Sequence, residues 1–146
     1  MRLGYRAAYV ALRVSALVVR PRTRGVKCLL LDHAGRALFV RHTYGDRRQW
    51  ELPGGGVRSG ETLDEAVRRE AWEELGADLA SWTEVACVRG DWYAKVEELT
   101  VFRASWPRFT RVRIDPVEIA SYAWFPLEGP PSPLGPTTEA ALRALG

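Results

Sequence analysis

Three glutamates, Glu70, Glu73 and Glu74, are spaced by three and four residues in the run REAWEE, a spacing that suits one helix. A helix turns about 100° per residue, so Glu70 and Glu74 project in nearly the same direction. Both fall on or beside the apolar stripe that runs from Leu63 to Leu75, and Glu73 falls off it. Carboxylates crowded beside a core are costly unless a cation neutralises them. The pattern therefore predicts a hard divalent metal, which prefers oxygen ligands and also binds substrate phosphates.

The segments on either side of this helix fix its position. Residues 53–56 read Pro-Gly-Gly-Gly, a backbone that can approach a ligand closely. Thr62 and Glu65 have the spacing of a capping box, which predicts that the helix begins near Leu63. Gly76 stands where a helix commonly ends. The alternative is an ordinary solvated face whose acids pair only with neighbouring arginines, but the loop, cap and stop together favour a site.

The run from Gly55 to Ala77 resembles the Nudix box, G-x5-E-x7-R-E-U-x-E-E-x-G-U, in which U is a bulky apolar residue. Ala71 and Ala77 are smaller than the usual aliphatic residues at the U positions. The resemblance implies an α/β fold over about residues 25–145, the Nudix-type α/β/α sandwich with a mixed β-sheet flanked by helices. Every fixed position of the pattern is met: Gly55, Glu61, Arg69, Glu70, Glu73, Glu74 and Gly76.

The resemblance also implies an activity. A metal-dependent hydrolase of this family would cleave the pyrophosphate linkage of a nucleoside diphosphate joined to a further group. That substrate class includes nucleotide sugars, ADP-ribose, dinucleoside polyphosphates and nucleoside triphosphates. Mg²⁺, or alternatively Mn²⁺, would neutralise the phosphate charge and activate water. The competing hypothesis is a catalytically silent nucleotide-binding regulator, but a retired site has no physical reason to keep costly acids together.

Carried over position by position, the box makes Arg69, Glu70, Glu73 and Glu74 the catalytic residues. Glu70 and Glu74 would be the main metal ligands. Glu73 would be a further ligand or the base that orients water, and the choice of base stays open. Arg69 would hold a glutamate through a charge-assisted hydrogen bond.

Other metal contacts are expected outside the glutamate run. The resemblance implies that a backbone carbonyl of Gly54 or Gly55 completes the metal shell, and Glu61 is interpreted as a brace between loop and helix. Family members often add an acid from outside the box, for which Glu97 and Glu98 are the candidates. Because side chains alternate along a strand, only one of these two can face the site, and Glu98 is favoured.

Three residues are candidates for substrate binding. Arg41 could reach a phosphate, although a surface salt bridge is the favoured interpretation. Trp50 could stack on a base, although buried packing is favoured. Tyr93 stands in a loop that could form a base platform, and its position resembles a marker of dinucleoside polyphosphate hydrolases.

The charge of the chain is divided unevenly along its length. The net charge of +3 arises from residues 1–24, which hold six arginines and no acid, whereas residues 25–146 carry more acids than bases. This division predicts a basic arm over 1–24 and gives poor support for nucleic acid as a partner of the main domain. The resemblance implies that residues 25–146 form the hydrolase domain, with a nucleotide-type small molecule as its partner.

An amphipathic helix is predicted in the arm over about residues 2–19, ended by Pro21. Packing on the domain or on a second subunit, which would make a homodimer, is favoured for it. A position on anionic lipid and disorder are the alternatives. Arg13 interrupts the apolar run of the arm, which is therefore too short to span a bilayer. The arm also lacks a clear cleavage site, so a cytoplasmic location is expected.

The rest of the sequence predicts short elements around the box helix. Cys28 and Cys87 lack CxxC spacing and are expected to be small buried strand residues. Thr137 or Thr138 is expected to cap a last helix that ends near Leu145. Strands are predicted over residues 25–32, 36–42, 50–52, 82–90, 97–106 and 119–125, with loops over 43–49 and 90–95 and a proline-rich loop over 126–136.

Overall fold

A computed structural model describes residues 22–146. The helix predicted over 2–19 lies outside the described residues. Within the described part, no helix has the length and apolar character needed to cross a bilayer. In chain order the elements are β1 (Arg22–Leu31), β2 (Arg36–His42), β3 (Gly54–Gly56), α1 (Leu63–Leu75), β4 (Thr83–Trp92), β5 (Lys95–Ser105), β6 (Ile119–Pro126) and α2 (Pro136–Leu145).

The six strands form one mixed sheet with the order β4-β5-β1-β2-β6, and β3 pairs with β1. β1 and β5 run parallel, and the other pairs are antiparallel. Side chains alternate along β1, so Val26, Cys28 and Leu30 pack against α1 whereas Leu29 packs on the α2 side. The predicted α/β fold, a mixed sheet flanked by helices, is confirmed.

The sheet opens at the position of the glycine loop. β1 and β2 pair where Leu31 is opposite Ala37, at the end of β1 and the start of β2. Closer to the start of β1, the Cys28 N–H donates instead to the carbonyl of Pro53 over 2.7 Å. The strand Gly54–Gly56 then pairs with the start of β1. The loop that precedes α1 is therefore built into the sheet.

The short strand predicted over residues 50–52 is wrong. Trp50 and Glu51 form only isolated bridges, and the paired strand is the glycine run that follows. Glycine is disfavoured in strands, so propensity alone conceals this element. Gly54 has a φ of 153°, and a Cβ there would press into the Val26 carbonyl oxygen. Close approach to β1 therefore requires glycine at this position.

The ends of α1 agree with the prediction. The Thr62 side chain accepts from the N–H of Glu65 over 3.1 Å, and the Glu65 carboxylate accepts from the N–H of Thr62 over 2.9 Å. Gly76 ends the helix in a left-handed conformation with a φ of 71°. The cap fixes where the helix starts and therefore which side chains face the sheet.

Three local expectations differ from the structure. The loop predicted over 90–95 is a two-residue turn, Tyr93-Ala94, because β4 and β5 both extend toward it. Neither threonine caps α2, which follows Gly135 and starts with Pro136, since proline has a helical φ without needing a cap. Cys28 is buried as predicted, but Cys87 is exposed because β4 is an edge strand.

Candidate functional site

Two carboxylates are buried where α1 passes under the glycine strand. Glu70 and Glu74 are only 1% and 3% exposed, because the cap of α1 turns them toward the sheet. The N–H of Gly54 donates to Glu74 Oε1 over 2.8 Å. One guanidinium N–H of Arg69 donates to Glu70 Oε1 over 2.8 Å. The structure thus places both predicted main ligands on one buried face.

Arg69 connects the helix to the loop that precedes it. Its guanidinium makes a two-point pair with Glu61, at 2.7 and 2.9 Å, and donates to the Gly56 carbonyl over 2.9 Å. The Arg69 hydrogen bonds hold the pKa of Glu61 below its usual value, against the opposing effect of burial. Arg69 thus joins Glu61, the Gly56 carbonyl and Glu70 in one set of charge-assisted hydrogen bonds.

The charge around Glu74 is strongly unbalanced. Burial raises the pKa of Glu74 well above its ordinary value, and the negative charge of Glu70 raises it further. The Gly54 N–H and the charge of Lys27 act in the opposite direction, and the charge of Glu118 again raises the pKa. Such acids are stable as carboxylates only beside added positive charge, which a hard cation would supply.

Glu118 is an acid that the sequence reasoning missed. It is 5% exposed and its charge acts on Glu74. The segment before β6 brings it there, because the N–H groups of Arg113 and Asp115 donate to the carbonyls of Leu75 and Glu74 at the end of α1. No local spacing relates Glu118 to the box, so the sequence carried no signal for it.

The preference for Glu98 as a metal ligand is corrected by its placement. Glu98 is partly exposed and pairs with Arg89 across the β4–β5 hairpin at 2.9 Å. Glu97 lies on the opposite face of β5, where it pairs with Lys95 at 2.9 Å and accepts from the Thr23 hydroxyl over 3.1 Å. Glu98 is thus engaged at the partly exposed face of the hairpin, whereas Glu97 lines the cavity described below.

Glu73 lies apart from the buried pair. Its carboxylate is partly exposed and contacts Arg58 at 3.3 Å and Arg69 at 3.5 Å. Among residues 22–146, no three acidic, histidine or cysteine side chains form a ready set of metal ligands. Mg²⁺ is commonly bound by one or two carboxylates together with water and substrate phosphates. The buried pair of Glu70 and Glu74 fits that mode of binding.

A cavity of about 340 Å³ opens on the other side of the glycine strand. The strand Gly54–Gly56 lines it, and the same strand touches Glu74 through the Gly54 N–H. Gly54 is therefore in contact with both the cavity and the carboxylate of Glu74. The cavity is also lined by Lys27, His42, Tyr44, Glu51, Tyr93 and Glu97.

Residues 21–145 match the NUDIX domain family, which covers most of the chain. The chain belongs to the NUDIX family. It is 39% identical over 82 residues to the nucleoside triphosphatase NudI of Escherichia coli O139:H28, covering 50% of this chain and 57% of that protein. The NudI of Salmonella agona is 40% identical over 72 residues, covering 42% of this chain and 50% of that protein. The chain thus spans about half the length of the curated relatives it matches.

Solved structures share the fold of this NUDIX chain. A MutT NUDIX hydrolase from Burkholderia pseudomallei is 27% identical with a TM-score of 0.76, covering 87% of this chain and all of that one. The MutT protein from Methanosarcina mazei Go1 is also 27% identical, with a TM-score of 0.73 and coverage of 85% and 91%. These neighbours agree with the mixed sheet and two helices described above.

Of the three predicted substrate residues of this NUDIX domain, Tyr93 alone lines the cavity. Arg41 donates to the Ser121 hydroxyl over 3.0 Å, and its guanidinium carbon lies 4.4 Å from the centroid of the Trp50 ring. The Trp50 ring packs edge-on against Phe125. Arg41 and Trp50 therefore pack against each other and do not line the cavity.

The cavity also holds residues that the sequence analysis did not assign. Lys27 and Glu51 form an ion pair at 4.0 Å, and each is a charged residue within an apolar run, a signal that could have been used. The His42 ring stacks on Tyr44 with centroids 4.9 Å apart. Burial lowers the pKa of His42 to about 4, so this imidazole is neutral at pH 7. One side of the cavity is therefore aromatic and uncharged, and another carries paired charges.

Proposed function

We propose that this NUDIX protein is a metal-dependent hydrolase that cleaves the pyrophosphate linkage of a nucleoside diphosphate derivative. The observation that carries the proposal is the burial of Glu70 and Glu74 side by side beneath the glycine strand. Two buried carboxylates with a third nearby are costly for the fold, and a divalent cation offsets that cost. The relatives and structural neighbours support the same reaction class.

Glu70 and Glu74 are the residues that hold the cation, which we take to be Mg²⁺ with Mn²⁺ as an alternative. The family generally uses divalent cations. When bound, the cation supplies charge neutralisation of the phosphates and activation of water. A carbonyl of Gly54 or Gly55 and the carboxylate of Glu118 complete the protein's share of the ligands. Burial and charge support the three glutamates, and the family resemblance supports the glycine carbonyl.

The remaining side chains of the site position these ligands. Arg69 fixes Glu70 through one N–H and fixes the loop through Glu61 and the Gly56 carbonyl. Glu73, held between two arginines at the edge of the site, is the partly exposed acid and so the one that can exchange a proton with solvent. We assign to Glu73 the role of orienting water for attack on phosphorus.

The cavity beyond the glycine strand is the place for the nucleoside. Its volume of about 340 Å³ is at the small end of ligand pockets and suits one nucleoside better than two. The NudI relatives are named nucleoside triphosphatases, which supports a nucleoside triphosphate as the first substrate to test. Phosphates that leave the cavity past Gly54 would reach Glu74 directly.

The test is a substrate panel assayed with Mg²⁺, with Mn²⁺ and with excess EDTA. The panel contains nucleoside triphosphates, ADP-ribose, a nucleotide sugar and a dinucleoside tetraphosphate, and the product is separated by chromatography. We expect metal-dependent release of a nucleoside monophosphate, fastest with a nucleoside triphosphate. Equal rates with and without EDTA would rule out the proposed metal dependence.

The same panel decides between a hydrolase and a silent nucleotide-binding regulator. A regulator would bind one or more panel members, measured by calorimetry, and would turn over none with either metal.

The matched control is Glu84→Gln, which removes an exposed carboxylate on the edge strand β4. We expect this variant to keep the wild-type rate, since the position is remote from the buried acids in the sheet order.

A further inference from the structure

The turn between β4 and β5 has an unusual backbone conformation. Its two central residues, Tyr93 and Ala94, have φ values of 55° and 61°. Two-residue hairpin turns with both central residues at positive φ normally use Asn-Gly or Gly-Gly, because other side chains crowd the backbone in that conformation. Neither residue here is glycine or asparagine. The turn is therefore strained at two successive positions.

Backbone strain of this kind persists when surrounding structure enforces it, and it is concentrated at functional sites. Here the enforcement is visible, since β4 and β5 pair up to the turn, with Trp92 opposite Lys95. The Trp92 ring lies over Gly90, where a Cβ would collide with it. The ladder and this contact hold the hairpin closed to its last residue.

The strained turn lies at the cavity of the proposed site. Tyr93, Lys95 and Glu97 all line it, and they lie at or directly after the turn. A change of turn geometry would move the Tyr93 ring relative to Lys95 and Glu97 on β5. The His42–Tyr44 stack lines the same cavity. The turn thus determines where a third aromatic ring meets the space assigned to the nucleoside.

We propose that the Tyr93-Ala94 turn is a positioning element for the substrate, one that gives up folding stability to hold the Tyr93 ring against the nucleoside. In this arrangement Tyr93 contacts the substrate and Ala94 acts through it. The inference rests on the proposed function, because it needs a nucleoside in the cavity. It adds that relief of strain at this turn stabilises the protein and weakens substrate binding at the same time.

A third strained residue provides the control. Phe109 also has a positive φ, 69°, and is 99% exposed in the loop between β5 and β6. It does not line the cavity. Phe109→Gly therefore relieves the same kind of backbone strain at a place that has no contact with the proposed substrate. An effect that belongs to strain relief alone will appear in this variant as well.

The experiment compares Ala94→Gly, the double variant Tyr93→Asn with Ala94→Gly, and Phe109→Gly. Each is measured for its urea midpoint, for kcat and KM with the best panel substrate, and for affinity toward a nucleoside 5′-monophosphate.

All three urea midpoints should rise. Ala94→Gly should raise KM about threefold through loss of ring placement. The double variant should raise KM at least about tenfold, as expected for loss of an aromatic stacking partner. In both, kcat should stay within about twofold of wild type, and Phe109→Gly should leave KM unchanged.

Several outcomes would overturn the proposal. A lowered midpoint in the Ala94→Gly or double variant would show that the turn is not strained. Raised midpoints with unchanged KM and unchanged monophosphate affinity in all three variants would show that the strain has no role in binding. An absence of monophosphate binding by the wild-type protein would overturn it as well. Failure of the hydrolase proposal looks different, because the wild-type protein would then bind the monophosphate but turn over no panel member.

Discussion

Replacing Glu74 with glutamine removes one buried negative charge and keeps the size of the side chain. The amide oxygen can still accept from the Gly54 N–H, which donates to Glu74 Oε1 over 2.8 Å in the wild-type protein. The charge repulsion with Glu70 and Glu118 disappears. The variant therefore separates the electrostatic role of this residue from its packing.

The expected effects on stability and on turnover have opposite signs. Because the folded pKa of Glu74 is raised, the protonated form is favoured on folding. The stabilisation by protonated Glu74 is fully present below the unfolded pKa of about 4.3 and is lost as pH rises through the folded pKa. Its size is about 1.4 kcal/mol of unfolding free energy for each unit by which folding raises the pKa. Without metal, Glu74→Gln should thus be more stable than wild type at pH 8, and the two should converge near pH 4. Turnover should fall at least about a hundredfold, or roughly 2.7 kcal/mol in the barrier.

The assay measures urea unfolding at pH 4 and pH 8, with EDTA and with Mg²⁺, alongside the rate with a nucleoside triphosphate. Mg²⁺ at about a hundred times its dissociation constant should stabilise wild type by about 2.7 kcal/mol and the variant much less. Glu84→Gln is the control for removal of a carboxylate at an exposed position. A variant with near-normal turnover, or with equal stabilisation by Mg²⁺, would refute the reasoning.

Three further outcomes follow from the contacts of the site. Lysine in Arg69→Lys cannot reproduce the two-point pair with Glu61, so we expect a loss of about 1–3 kcal/mol in unfolding free energy and a lower kcat. A kcat unchanged from wild type would show that Arg69 does not position the site. Gly54→Ala should cost about 3 kcal/mol or more in urea unfolding, because its Cβ has no room beside Val26; a midpoint close to wild type would contradict the close approach. His42 has a folded pKa of about 4, so the stability that its neutral form contributes is fully present above pH 6.5 and is lost as pH falls toward 4. His42→Phe should therefore reduce the change in unfolding free energy between pH 6.5 and pH 4 by up to about 3 kcal/mol, and an unchanged pH dependence would refute a neutral imidazole.

The parts of the structure that local spacing determines were predicted from the sequence. The capping box at Thr62, the stop at Gly76 and the inward direction of Glu70 and Glu74 all follow from a helical period. The paired sheet flanked by helices followed from the resemblance and from the order of apolar runs. The features of the helix depend on residues only a few positions apart, which is why one sequence is sufficient for them.

The parts that depend on distant contacts could not be predicted. The strand Gly54–Gly56 exists because β1 lies beside it, against the propensity of glycine. Glu118 reaches the buried acids because the preceding loop docks on the end of α1 through backbone hydrogen bonds. The turn at Tyr93-Ala94 was missed because its residues lack the usual chemistry of such turns. For the glycine strand and for Glu118, the deciding partner is far away in sequence.

The most direct test of the account is a crystal structure of the protein with Mg²⁺ and a non-hydrolysable nucleoside triphosphate analogue. We predict a cation within about 2.0–2.1 Å of carboxylate oxygens of Glu70 and Glu74 and of a phosphate oxygen, the distance typical of Mg²⁺. The nucleoside should lie in the cavity beyond Gly54. A nucleotide bound there with no cation at either carboxylate, or a cation held elsewhere, would contradict the central claim.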